Sequence, residues 1–548
     1  LISCPQNQPI FKHDSLLALE PFLTFNIILF MKKGFFILLL LATAFYPSVA
    51  QQADYHICGN AEDQTEFIAR LEQNKLVMEA MDMARDRGAV QYVPIHFHLV
   101  GDADGNGKIK EIRVLEQLCK LNEAFLPAEI QFYLSPHPTH GLFNYSINNN
   151  NVYLNQSNSL IMQLRRHPNA INVYIVQEPV SNNNNPGIVL AYYSPLNDWI
   201  VSRKTEVNGN NGNGTMPHEV GHFFTLPHTF FGYESNPFDA ADPTWPNAPV
   251  LAPNGGGVTT ERQNGTNCGT AADRICDTPP DYNFGLIWSN CNNYTGGARD
   301  PLGTLVDPME NNFMGYFQNC NPYAFTPNQM SIMRADLNSS QRNYLDNTFS
   351  PVATEIVSPT NLLVSPTAGE IPPHYNNVLL EWQAIPGATH YLVEIDIIPG
   401  FATVNAQTFI ETGTSKLLTN LLSNRTYYWR VKPFNQLVGC ATVRSQNFKT
   451  STVALSTLEI EGLEAWQISP NPVHGGTATI NVVSEKSLEV AIRITDAAGR
   501  TVSFQQGLSF PQGESTHTIS TANLPNGLYF VSLESGNGRN VRKLSVLR

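Results

Sequence analysis

The stretch HEVGHFFTLPH, residues 218–228, decides how the chain is read. Histidines stand at 218, 222 and 228, and Glu219 follows the first of them. On a helix, positions four apart share one face, so His218 and His222 can meet one cation. Three neutral imidazoles are the donor set zinc takes when its fourth position is kept for water. Glu219 then lies where a carboxylate can take a proton from that water. Thr215 as N-cap and Pro217 in the first turn predict a helix that starts just before His218. His228 comes about 1000° of rotation after His218, so it would face away if the helix ran on. The helix must stop and the chain must turn back. Pro227 disfavours helical geometry at Leu226 and helps the stop. The turn falls on Thr225, and a β-branched residue at positive φ costs about 1–2 kcal/mol. Either the backbone turns by another route, or the site carries strain.

The chain has 548 residues, more than one core accommodates, so several domains are expected. Lys and Arg number 33 against 46 Asp and Glu, a net charge of −13 that argues against a generic nucleic-acid binder. MKKGFFILLLLATAFYPSVA, residues 31–50, reads as a signal peptide. Lys32 and Lys33 are its positive region, Phe35 to Leu41 its apolar core, and Ser48-Val49-Ala50 its cleavage site. Met31 is then the start and Gln51 the first residue after cleavage, with 1–30 an upstream extension that is not native. Leu1-Ile2-Ser3-Cys4 resembles a lipoprotein box without the charged region that should precede it. The expectation is a protein exported through the periplasm, secreted or held at the cell surface, with no transmembrane segment in the mature chain.

Residues 51–90 are polar and partly helical, and 91–345 alternate in an α/β pattern. YVPIHFHLV (92–100), IQFYL, INVYIVQ and GIVLAYY read as strands, and KEIRVLEQLCKLNEAF as a helix. DADGNGK (102–108) opens like a calcium-binding loop, but Arg113 stands where glutamate is needed, so a turn is expected. His96 and His98 share one strand face and read as structural. From about 355 the texture changes to short strands between turns. Trp382, Tyr391, Tyr428 and Trp429 in 357–450 resemble the core aromatics of a fibronectin type III module. Pro470-Asn471-Pro472, Asp496 to Gly499, Asn526-Gly527-Leu528-Tyr529 and the basic end make 466–548 resemble the C-terminal sorting domain of type IX secretion substrates. That resemblance implies contact with the secretion machinery.

Export permits disulfides. Cys268, Cys276, Cys291 and Cys320 cluster, which suggests two bridges with three possible pairings. Cys58, Cys119 and Cys440 are scattered, and at least one is expected to be free. Cys119 falls on the apolar face of its helix and reads as buried.

HEVGHFFTLPHTF, then CDTPPDY, NNFMGYFQNC and FTPNQMSIMR, resemble the pappalysin family of metzincin zinc endopeptidases over roughly residues 92–340. The resemblance implies a multidomain chain, with an α/β metzincin-like catalytic domain before two all-β sandwich domains. It implies that His218, His222 and His228 bind zinc, and that Glu219 is the general base. Met314 would be the methionine turn beneath the metal, and Tyr316 would assist the transition state. Asp273, Asp277 and Thr278 become calcium candidates, with loop capping as the other reading. The four clustered cysteines match the family's two disulfides. Residues 51–90 become a pro-segment in which Cys58 can cap the zinc, with a disulfide as the other reading. Two features depart from the family pattern. Thr225 replaces glycine, and Gly315 to Cys320 lack the acid that relatives preferring Arg or Lys carry. The functional expectation is a secreted endopeptidase acting on proteins or peptides. The rivals are an adhesion or binding protein with a decayed site, and a metalloenzyme with a non-peptide substrate.

Overall fold

The computed structural model describes residues 56–57, 64–80, 89–154, 159–179, 188–208, 214–242, 245–254, 256–288, 291, 294–454, 460–536 and 538–547. The signal peptide, the upstream residues and Cys58 lie outside them. The chain is multidomain, with an α/β region followed by all-β sheets.

The α/β region begins with β1 (His56–Ile57), α1 (Gln64–Ala80), β2 (Gln91–Leu99), α2 (Glu111–Phe125) and β3 (Ile130–Leu134). The short helices α3 (Asn150–Tyr153) and α4 (Ser159–Arg165) follow, then β4 (Ile171–Val176), β5 (Ile188–Val189), β6 (Ala191–Ser194) and β7 (Trp199–Arg203). GIVLAYY, expected as one strand, is divided between β5 and β6. The sheet order is β3-β2-β4-β7-β6, parallel except for β6. A parallel sheet is covered on both faces, which is why every residue of β4 is buried. Ile112, Leu115, Leu118, Leu121 and Phe125 of α2 sit at helical spacing and enter the same core.

The helices α5 (Lys204–Asn208) and α6 (Thr215–Phe223) come next, and α7 (Phe284–Ile287) lies in a long irregular stretch before α8 (Pro327–Leu337). That stretch has an aromatic core of its own, including Phe230, Tyr233, Phe238, Tyr282, Phe284 and Phe317. It is stapled by Cys268–Cys276 and Cys291–Cys320, one of the three pairings the sequence allows. The loop at Asp102 is a turn, its carboxylate accepting from the Asp104 and Asn106 amides.

The first sandwich has strands β8 (Leu363–Ser365), β9 (Val378–Trp382), β10 (His390–Asp396), β11 (Gln407–Glu411), β12 (Ser415–Leu418), β13 (Thr426–Phe434) and β14 (Arg444–Lys449). They form sheets β11-β10-β13-β14 and β12-β9-β8. Trp382, Tyr391 and Trp429 are in its core, but Tyr427 occupies the inward position expected of Tyr428. Successive strand residues point to opposite faces, so once Trp429 faces in, Tyr428 cannot. The second sandwich has β15 (Leu463–Ser469), β16 (Thr477–Ser484), β17 (Leu488–Asp496), β18 (Thr501–Phe510), β19 (Gly513–Ser520), β20 (Gly527–Ser535) and β21 (Gly538–Val546). Among the described residues, no helix is long and apolar enough to cross a membrane.

The first sandwich is fastened to the α/β layer. Cys119 is half-buried and bonded to Cys440, against the expectation of a buried thiol. Leu134 donates its amide to the Gln436 carbonyl at 2.7 Å, and Gln436 Nε2 donates back to the Leu134 carbonyl at 3.0 Å. Tyr133 stacks on Phe349 with ring centroids 3.8 Å apart.

Candidate metal centre

α6 starts earlier than the sequence implies. Its N-cap is Gly214, without a side-chain cap, and Thr215 lies inside the helix. The Thr215 hydroxyl instead donates to Glu206 of α5 at 3.2 Å. The helix ends in a Schellman turn. The Thr225 amide donates to the His222 carbonyl at 2.9 Å, and the Leu226 amide to the Gly221 carbonyl at 3.0 Å. Thr225 is the left-handed residue of this turn, at φ 66°. The backbone therefore follows the route glycine would take, and threonine bears the strain. The buried Thr225 hydroxyl donates to the Phe224 carbonyl at 2.6 Å and accepts from Asn74 Nδ2 at 2.8 Å.

The turn brings His228 back to the helix. His218 and His222 each donate Nδ1–H to a backbone carbonyl, Phe313 at 2.6 Å and Leu226 at 2.7 Å. These bonds set the tautomer and leave each Nε2 as a lone pair. The Nε2 of His222 is 3.0 Å from that of His218 and 3.2 Å from that of His228. Lone pairs held this close repel unless a cation lies between them. Four-coordinate zinc with N distances of about 2.0–2.1 Å holds its nitrogens roughly 3.3 Å apart, so the triad fits zinc. Burial, then the neighbouring His228, lowers the His218 pKa to about 3, and burial, then His218, holds His222 well below its ordinary value. Both rings are therefore neutral, the form a metal binds.

Met314 lies under the triad, fully buried. A Cβ at Gly221 would come 2.5 Å from Met314 Sδ, so the glycine within HEVGH is where the methionine seats. Tyr316 has its ring centroid 5.1 Å from His228 and 5.9 Å from His218. Glu219 is buried at the cleft, whose walls include Leu190, His218, Tyr316 and Tyr323. Glu206 also lines the cleft, an acid supplied by α5 where the Met314 turn has none.

Sequence reasoning missed the residues that hold this turn. Asn312 Oδ1 accepts from the Met314 amide at 2.9 Å, and its Nδ2 donates to Gln329 of α8 at 3.0 Å. Asp281 accepts from the Thr229 hydroxyl at 2.9 Å, next to His228. A Cβ at Gly285 would stand 2.3 Å from the Tyr316 carbonyl carbon, so only glycine allows α7 to approach. The repeated Asn and Gly of this stretch were visible but carried no partner.

The calcium candidates separate. Asp277 caps α8, accepting from the Thr326 hydroxyl at 2.7 Å and the Asn328 amide at 2.8 Å. Asp273 is fully buried and accepts from the Ile275 amide and the Thr278 hydroxyl. Its charged neighbour is Glu261, also buried, whose Oε2 has no hydrogen-bond partner among the described residues. Burial, then the charge of Asp273, pushes Glu261 up to about 9, and burial raises Asp273 to about 8.

Residues 467–547 match the family model described as a secretion system C-terminal sorting domain, and that end of the chain marks an exported protein. No curated protein matches the chain. A promirolysin mutant from Tannerella forsythia is similar in structure at TM-score 0.33 and 16% identity, covering 53% of this chain and 97% of its own. The fibronectin domain of human collagen alpha-1(XX) is similar at TM-score 0.15 and 22% identity, covering 20% of this chain and 97% of its own. Likenesses this loose carry no weight beside the site geometry.

Proposed function

We propose that the chain is a secreted zinc-dependent endopeptidase that hydrolyses peptide bonds in proteins or peptides. The observation that carries this reading is the convergence of the Nε2 atoms of His218, His222 and His228 beside the buried carboxylate of Glu219 in an open cleft. His218, His222 and His228 would hold zinc, which supplies Lewis acidity toward water and the peptide carbonyl. Glu219 takes the proton of the attacking water and passes it to the departing amine. Tyr316, at the rim of the triad, donates its hydroxyl to the developing oxyanion. Met314 and the Asn312 hydrogen bonds hold the floor beneath the rings. The turn at Thr225 closes with both its hydrogen bonds, which counts against the rival with a decayed site.

Calcium is the second cation of this reading. Asp273, Asp277 and Thr278 are its candidate ligands, and the buried Glu261 next to Asp273 is a further acid that it could draw on. Cys58, in the proposed pro-segment, would cap the metal as a thiolate. Cys58→Ala then shortens the lag before cleavage begins. The sorting domain delivers the protein to the secretion machinery. The deciding experiment measures zinc content and cleavage of a denatured protein by wild type and Glu219→Gln after removal of the N-terminal segment. One zinc per chain and a loss of about 10²–10⁴-fold in the variant are expected. Zinc-loaded wild type that cuts nothing sinks the proposal.

A further inference from the structure

α1 is attached through an apolar face, with Leu71 in the core and Ile68 and Met78 packed against it, and through a set of polar groups. Leu71 is its one fully buried leucine, while Leu76 is 62% exposed. The polar attachment centres on Asn74, itself buried. Its amide nitrogen donates to the Thr225 hydroxyl at 2.8 Å and to Asp336 of α8 at 2.9 Å. Arg70, one turn earlier, pairs with the same Asp336 at 3.1 Å. At the rim, Glu72 pairs with Arg274 at 3.0 Å and Lys75 donates to the Gly269 carbonyl at 3.2 Å.

The place where α1 sits is the metal centre's own scaffold. Thr225 is the hinge of the turn that returns His228, and Leu226, next to it, orients His222. The ring centroid of Phe67 in α1 lies 6.4 Å from that of His222, edge toward face. Further back, β1 pairs in parallel with β5, and Leu190 and Ala191, which follow β5, line the cleft.

We propose that Thr225 and Asp336 form a seat for the N-terminal helix, which acts as a latch on the metal centre. Glycine at 225 would make the same turn without strain, but it would leave the Asn74 amide with one hydrogen-bond acceptor fewer in a buried place. Threonine accepts the strain and supplies the acceptor. A single helix held by one short apolar face and a few directed hydrogen bonds is an attachment that a cut in the N-terminal segment can release. The regulatory consequence rests on the endopeptidase reading; the seat does not.

Amide hydrogen exchange on the full chain tests the seat, with Glu219→Gln in every sample so that no self-cleavage intervenes. Thr225→Gly is expected to speed exchange across 64–80 at least about tenfold while β2 and β4 keep their protection. Thr225→Ser, which retains the hydroxyl, should restore most of that protection. Asn74→Ala should match Thr225→Gly. Unchanged exchange of α1 in Thr225→Gly overturns the seat, and so does a uniform loss of protection through the whole α/β layer. With Glu219 present, Thr225→Gly should also shorten the lag before a denatured protein is cut, and an unchanged lag overturns the latch. If the chain cuts nothing even without its N-terminal segment, the endopeptidase reading fails, and the exchange data still decide the seat.

Discussion

His218 and His96 each give Nδ1–H to a backbone carbonyl, Phe313 for the one and Ser135 for the other. There the likeness between the two histidine groups of the α/β layer ends. Around His218, three Nε2 atoms point at one place. Around His96, whose own Nε2 has no partner among the described residues, the rings of His98, His137 and His167 crowd in, with centroids 4.9, 5.7 and 5.3 Å away, and their hydrogen bonds run to separate partners. His98 donates to Asn172 and accepts from Asn144. His167 is held by the Pro136 carbonyl and the Asn169 amide, and His137 accepts from the Thr139 amide. Three buried imidazoles, with His137 and His140 at their rim, make a packed polar cluster, and three aimed ones make a candidate metal centre. Direction separates the two groups, and number does not.

The sharpest way to break this contrast is to remove one ring from each. His222→Ala should empty the metal centre and abolish cleavage, while His98→Ala keeps one zinc per chain. His98 is fully buried, its ring stacked on Tyr174 at 4.1 Å, so its loss should cost about 2–4 kcal/mol of unfolding free energy. Metal analysis with urea titration reads both, and zinc lost from His98→Ala would erase the distinction.

Acid should act on the packed group. Burial lowers the pKa of His96 to about 3 and that of His98 well below its ordinary value, and His167 is lowered too. These rings stay neutral when folded but take protons below about 6.5 when unfolded. Their contribution is complete above that pH and drains as pH falls toward 3. The urea midpoint of the zinc- and calcium-loaded protein should therefore drop from pH 7 to pH 5, and drop less in His98→Ala. Equal midpoints at the two pH values would refute it.

The buried acids respond in the opposite sense. Burial raises the pKa of both Glu261 and Asp273 above the ordinary carboxylate range, so without a cation their contribution is lost as pH rises. Calcium should raise the unfolding temperature by a few degrees, more at pH 8.5 than at pH 6, and not in Glu261→Gln. A calcium effect independent of pH would exclude this pair.

Local features were legible in the sequence because local physics produces them. The HEVGH spacing, the stop before Pro227 and the strand IQFYL needed no partner to be seen. Thr225 was read as the point of conflict, and the Schellman turn shows the conflict to be real strain with a compensating bond. What escaped depended on distant chain. Asn74 lies 151 residues from Thr225, and Glu261 meets Asp273 only through the fold of a loop. Tyr428 was misplaced by one position because alternation gives the period of a strand but not its phase.

The bridge from Cys119 to Cys440 spans 321 residues. Closing a loop of that length restricts the unfolded chain by on the order of 5 kcal/mol in the chain-entropy view. It also ties the α/β core to a sandwich whose Leu392 and Phe434 already enter it. Calorimetry should show a lower unfolding temperature once reductant is added. The α/β layer thus draws part of its heat resistance from a sandwich made long after it in the order of synthesis.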